Sequence, residues 1–407
     1  MSEKYDIAVP VGGSFEKLLG EKVWMPFDER ATSFVDAFAE YILKEKSFRK
    51  FPELVAMAFW MRRATVTRLK EKFEIQRGDR LWLGRGLVFH IAPSNVDTIF
   101  MYSWILSMLI GNTNVVRISS RTNDQIEALL DVLNEITQRD EFQEIKKRFL
   151  VVRYEHDEEI TGLFSSECSL RVIWGGDETI RRIRQVPIPP TTTEMTFADK
   201  FSMSLISARE FSVLEKTDQL ITNFYNDAFW FGQNACSSPR LVVWLGSEED
   251  VKVTREVFWK LVEKKVREKQ AEFAPSVAVD KLVAESALAI ESFGEVSIEP
   301  AANSLVSRVW LNDPGDVHRE LHCGGGLFYE YRLDKLDELS GLITTKDQTV
   351  TVFGPKREDF TEFVKLHRPK GINRFVPIGQ AMEFSTIWDG YDLLREFCRE
   401  VDLAIRS

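Results

Sequence analysis

Apolar positions in the first 80 residues recur at helical spacing, as at Phe34, Phe38 and Ile42 and again at Leu54, Met57 and Met61, and predict a mostly helical start. From residue 81 the texture changes. Short β-branched runs at 87–91 (LVFHI), 114–118 (NVVRI), 149–154 (FLVVRY) and 170–174 (LRVIW) alternate with helical stretches. Those stretches include an apolar one at 98–110, a polar one at 122–139 and an arginine-rich one after Gly175 and Gly176. Apolar runs alternating with helices predict βαβ crossovers and a parallel sheet, a Rossmann-like arrangement. A proline- and threonine-rich stretch at 187–193 (PIPPTTT) fits neither a helix interior nor a central strand. A second series comes next: strands at 203–207, 241–245, 307–311, 326–331 and 348–353, with helices at 217–231 and 248–272. The expected class is α/β with two Rossmann-like domains, 1–204 and 205–378. The tail, 379–407, returns as a helix after Trp388 to the first domain or to an oligomer interface.

Composition narrows the function classes. A chain of 407 residues exceeds what one core usually supports, and 44% hydrophobic with 29% charged residues excludes disorder. The net charge of −10, without a basic stripe, argues against nucleic acid as a partner. It leaves room for an anionic cofactor held by a few arginines. The longest apolar run, 13 residues at 98–110, is too short to span a bilayer. Cys168, Cys236, Cys323 and Cys398 lie far apart with no His cluster at ligand spacing, so neither a disulfide framework nor a metal site is expected. The first ten residues lack the charged-then-apolar pattern of a secretory signal, and a cytoplasmic protein is expected.

One segment carries candidate chemistry. In 231–240 (FGQNACSSPR), Cys236 stands among small and polar residues that leave its backbone approachable. A thiolate there can be activated by a helix N-terminus, and its own amide can hold an oxyanion; the plain alternative is an inert buried cysteine. The glycine fingerprint for dinucleotides is missing, because Gly84 and Gly86 precede their strand instead of coming after it.

Four ordered segments resemble the aldehyde-dehydrogenase superfamily. FGQNACSSPR is similar to its nucleophile segment. Residues 91–95 (IAPSN) resemble the turn whose asparagine amide binds the oxyanion, which implies that role for Asn95. Residues 111–117 (GNTNVVR) resemble the segment that meets the adenosine ribose, and 174–178 (WGGDE) the pyrophosphate-side turn. The resemblance therefore implies catalytic Cys236 and Asn95, and cofactor contacts from Ala92, Pro93, Ser94, Arg117, Ser119, Ser120, Gly175, Gly176 and Glu178. It makes 1–204 the cofactor domain and 205–378 the catalytic one, with the active site in the cleft between them.

Two departures refine this. The family's water-activating glutamate falls at Thr196, with Glu194 two residues earlier. Without a placed base, a thioester on Cys236 should persist. Where the family has an acid after the ribose-side lysine, this chain has Ser120 after Arg117; arginine and serines suit a 2′-phosphate, so NADPH is expected, with NADH also usable. With His90 in FHIAPSN, the ACSSP around Cys236 and the ending IGQAMEFSTIWDGY, the chain resembles the acyl-CoA reductases, the fatty-acyl type of bacterial luminescence. The implied activity is reduction of an acyl thioester, from acyl-CoA or an acylated carrier or partner enzyme, to an aldehyde by a homo-oligomer. An aldehyde dehydrogenase running oxidatively and a non-reducing acyl relay are the alternatives. His90 reads equally as a satisfied core histidine, and Arg181, Arg182 and Arg184 as a solvated face. By order, His322 or Glu320 falls near the nicotinamide-ribose position, beside Cys323 and three glycines.

Overall fold

The computed structural model describes residues 5–92, 99–120, 123–269, 273–292, 296–299 and 305–405. The chain divides into two compact units, 1–198 with 384–407, and 199–383. The expected boundary at 204/205 would cut a central strand of the second unit, and the return begins at Phe384 instead of Gly379.

The first unit is built on strands β1 (Asp6–Val9), β3 (Leu87–Ile91), β4 (Thr113–Ile118), β5 (Phe149–Arg153), β6 (Leu170–Trp174) and β7 (Thr193–Phe197), with β2 (Leu81–Gly84) outside that sheet. Their order is β1-β5-β4-β3-β6-β7, and all but β1 run parallel. β3, β5 and β6 are buried on nearly every position, as strands covered by helices on both faces must be, hence their mostly apolar runs. Side-chain caps open the flanking helices. Asp28 accepts the Arg30 N–H before Glu29–Lys44, while Asn123 and Asp157 accept the N–H groups of Ile126 and Ile160 before Asp124–Thr137 and Glu158–Glu167. Glu29–Lys44 buries Ala31, Phe34, Val35, Phe38, Ala39 and Ile42, the stripe its spacing predicts. β1 lies in a stretch that reads as helical. Four residues are too few to show a period, and only the open edge of β5 makes them a strand.

The second unit contains β8 (Phe201–Ser207), β9 (Pro239–Leu245), β10 (Val296–Glu299), β11 (Ser307–Leu311), β12 (Leu327–Leu333), β13 (Asp347–Phe353) and β14 (Arg374–Pro377). The order is β10-β11-β12-β9-β8-β13-β14, parallel except for β10. Neighbouring residues feed opposite cores: Leu241 and Val243 pack on one face of β9, Val242 and Trp244 on the other. Glu330, fully buried on β12, is satisfied by Trp244 and Trp259 indole donors at 2.9 and 2.8 Å and by Arg255.

The chain then rejoins the first unit through β15 (Ile387–Trp388), β16 (Tyr391–Asp392) and β17 (Cys398–Val401). Instead of the expected helix after Trp388 there is one turn, Leu393–Glu396, and β17 pairs antiparallel with β2. Main-chain pairing across roughly 300 residues of sequence overrides the local pattern here.

Candidate active site

Cys236 occupies the turn between a 3-10 segment, Trp230–Gln233, and β9. Phe231, Gly232 and Gln233 have φ of 55, 59 and 66°, and left-handed backbone at two non-glycine residues needs outside support. Gln233 supplies it. Its buried amide donates to the Pro239 and Leu327 carbonyls, both at 2.9 Å, and its oxygen accepts the Gly326 N–H at 2.8 Å. The Gly325 N–H donates to the Gly232 carbonyl at 2.9 Å. The Cys236 turn is thus sewn to the start of β12.

The thiol itself is partly exposed. The Ser202 hydroxyl donates to the Cys236 carbonyl at 2.7 Å and accepts the Thr349 N–H at 3.2 Å. The buried Gln348 amide donates to Cys236 Sγ at 3.5 Å. The sequence allows a helix N-terminus to activate Cys236, but the turn leads into the strand β9, and side-chain donors stand beside the cysteine instead. Ser202 and Gln348 escape sequence reading because β8 and β13 bring them in from 34 and 112 residues away. Arg240, four residues on, loses basicity to burial, opposed first by the charge of Cys236.

The glycine cluster serves packing. A Cβ on Gly326 would lie 2.1 Å from the Leu305 carbonyl oxygen, so the close approach is to the protein's own backbone. His322 accepts the Gly324 N–H at 3.1 Å and donates from Nε2 to the Leu327 carbonyl at 2.8 Å. Burial, then Arg240, lowers its pKa to about 3. Both ring nitrogens of this neutral histidine are spent on main chain, while Glu320 is largely exposed beside His318. Burial pushes the thiols of Cys168 and Cys398 up to about 12 and also raises Cys323, which suits structural cysteines.

The described members of the expected cofactor set gather at the carboxyl edge of the first sheet. Ala92 comes directly after β3, Ser119 and Ser120 after β4, and Gly175 and Gly176 after β6. The strand order reverses direction at β3, the place where open parallel sheets bind ligands. Pro93, Ser94 and Asn95 lie outside the described residues. A cavity of about 210 Å³ opens here, lined by Arg117, Tyr154, Glu155, His156, Arg182 and Ile183 among others. Arg117 donates to the Tyr154 carbonyl at 3.1 Å, Ser120 donates to Glu155, and Arg182 lies 2.9 Å from His156 Nδ1.

Three of the expected contacts are less open than their letters suggest. The Gly175 N–H is spent on the Phe197 carbonyl at 3.1 Å. Gly176 caps a helix, Asp177–Arg184, whose first turn carries two acids, Asp177 and Glu178, a poor reception for phosphate. Glu178 points to solvent and pairs with Arg181. His90 is fully buried between Asn114 at 3.0 Å and Ser103 at 3.2 Å, with burial lowering its pKa to about 4, so it is a satisfied core histidine. Glu194 is held by Arg171 at 2.6 Å and Arg184 at 2.7 Å.

A likeness to known proteins can be set on this geometry. The chain resembles aldehyde dehydrogenase 21 from Physcomitrella patens, with 10% identity, TM-score 0.68 and coverage of 95% of this chain and 88% of that one. Lactaldehyde dehydrogenase from Escherichia coli gives 13% identity, TM-score 0.64 and coverage of 93% and 86%. A 3,6-anhydro-L-galactose dehydrogenase solved with NAP gives 11%, 0.61, and 92% and 87%. At these identities the likeness establishes the fold, that of the aldehyde dehydrogenases. No curated protein sequence matches the chain. The family model for acyl-CoA reductase (LuxC) matches residues 31–296. Spanning more than half of the sequence, that match places the chain in the acyl-CoA reductase (LuxC) family, oxidoreductases that act on acyl or aldehyde groups.

Proposed function

We propose that the protein reduces an acyl thioester, acyl-CoA or an acylated carrier or partner enzyme, to the aldehyde through an acyl group held on Cys236. The observation that carries this is the setting of the thiol: partly exposed, in a turn immobilised by Gln233, with an amide donor directed at its sulfur. Cys236 Sγ attacks the acyl carbon, the bond from that carbon to the donor's sulfur breaks, and the donor leaves as a thiolate that takes up a proton. The Cys236 N–H and, by resemblance, the Asn95 amide stabilise the oxyanion.

A reduced nicotinamide dinucleotide, when bound, supplies hydride to the acyl carbon. The carbon–sulfur bond to Cys236 then breaks, releasing aldehyde and restoring the thiolate. Water competes poorly because Thr196 replaces the family's base and the Glu194 carboxylate is occupied by two arginines. The cavity fits the adenosine end of such a cofactor: its Tyr154 and Ile183 walls suit a base, and its rim is polar. Arg117, with Ser119 and Ser120, is the proposed partner of a 2′-phosphate. Glu155 on the same rim can accept from a ribose hydroxyl, so NADPH is the proposed reductant and NADH a usable second one.

The test is NADPH oxidation with aldehyde formation on adding acyl-CoA. Cys236→Ala should abolish it while leaving the melting temperature in place; retained turnover would remove Cys236 from the mechanism. Hydrolysis of the acyl-enzyme faster than its reduction would favour the oxidative alternative. Acyl labelling without nucleotide binding would favour the relay.

A further inference from the structure

β13 is irregular where it meets the nucleophile turn. Its pairing with β8 slips between Asp347 and Val350, and slips of this kind re-aim side chains near active sites. Asp347, Gln348 and Thr349 are all fully buried, polar residues in a strand covered on both faces. Each is tied down. Arg319 grips Asp347 through two bonds of 2.9 and 2.8 Å, and the Thr344 N–H adds a third at 2.6 Å. The Thr349 N–H is held by Ser202, which also holds the Cys236 carbonyl. The Thr349 hydroxyl donates to Gln348 Oε1 at 3.3 Å, which turns the amide nitrogen toward Cys236 Sγ, 3.5 Å away.

Burying a carboxamide is costly unless it is used, and these neighbouring anchors hold this one in a single orientation. We propose that Gln348 is a catalytic residue whose amide N–H stabilises the Cys236 thiolate, both as it attacks the acyl donor and as it leaves the reduced product. An amide suits this task because it donates without titrating. It also cannot take a proton from water, so it supports the sulfur without promoting hydrolysis of the thioester. The inference rests on Cys236 being the nucleophile.

The experiment uses the full-length protein with Gln348→Met, of similar shape but without the donor, and Gln348→Glu, which keeps polarity and adds negative charge. The rate of iodoacetamide alkylation at Cys236 is monitored by peptide mass spectrometry from about pH 5.5 to 9.5, spanning the usual thiol range, with thermal melting as the control for folding. Loss of one hydrogen bond to a charged group should slow alkylation of Gln348→Met about tenfold at neutral pH, the difference closing at high pH. Gln348→Glu should be slower still. With acyl-CoA and NADPH, Gln348→Met should lower kcat while KM for acyl-CoA stays within about twofold. Alkylation profiles that coincide in wild type and both variants would overturn the proposal. A Gln348-dependent profile on a Cys236 that acyl-CoA never acylates would remove the thioester reading and the catalytic role with it.

Discussion

Asp227 offers the sharpest test of how the second unit is held together. It sits on the helix Thr217–Phe229 with 1% of its surface exposed, and accepts the N–H groups of Gly379 at 2.6 Å and Ala381 at 3.0 Å. Arg374 takes the other edge of the same loop, donating to the carbonyls of Gln380, Ala381 and Glu383. The loop ends beside the Cys236 turn, where Met382 Sδ meets the Ser237 hydroxyl at 3.6 Å. Burial pushes Asp227 up to about 7, against the two N–H donors and Arg374. From an ordinary 3.8 that is a shift worth about 4 kcal/mol. Because the folded value lies above the unfolded one, the stabilising contribution is complete below about pH 4 and is lost as pH rises to about 7.

Asp227→Asn removes the titration but sets an amide NH₂ against one of the two backbone N–H groups, at about 1–3 kcal/mol. The variant should therefore be less stable than wild type at about pH 4, before the wild-type contribution has been lost. At about pH 8, where the wild-type carboxylate is charged and buried, it should be more stable by about 1–3 kcal/mol. Calorimetry of the full chain reads this as a change in sign of the difference in Tm, at about 2–4 °C per kcal/mol for a unit of this size. A difference that stays constant from about pH 4.5 to 8.5 would refute the reasoning.

The site carries two more expected outcomes. Gln233→Ala strands the Gly326 N–H and two carbonyls in the interior and should cost about 3–5 kcal/mol, seen as a lower urea midpoint; a loss below about 1 kcal/mol would mean that water replaces the carboxamide. Arg117→Gln should raise KM for NADPH about tenfold or more and that for NADH less than about threefold, because only the former carries a 2′-phosphate. Equal losses in steady-state kinetics would place Arg117 away from the 2′-position.

Much of the fold can be read along the chain. β3 to β6 announce themselves as Val- and Ile-rich runs because strands covered on both faces leave few polar positions. The order of the IAPSN, GNTNVVR, WGGDE and FGQNACSSPR segments points to the family that the match over 31–296 establishes. The sequence also places a cysteine in a turn of small residues. Other features stay hidden for identifiable reasons. β1 and β17 are four residues each and become strands only by pairing with β5 and β2. The helix Pro275–Glu291 is masked by its own composition: its buried face carries Lys281 beside Ala284 and Leu288, while Val279, Leu282 and Val283 are exposed.

Local periodicity and short motifs determined most of the element types, the parallel architecture and the identity of the candidate nucleophile, since each depends on residues within a few positions of one another. Which polar groups attend that nucleophile was decided by tertiary structure. Gln348, Ser202 and the clamp of Asp227 and Arg374 are ordinary letters until strand register and loop closure bring them together. A buried hydrogen bond depends on distances in space that no local pattern encodes. The same holds for Glu155, an acid absent from the ribose-side motif that reaches the cavity rim from the end of another strand.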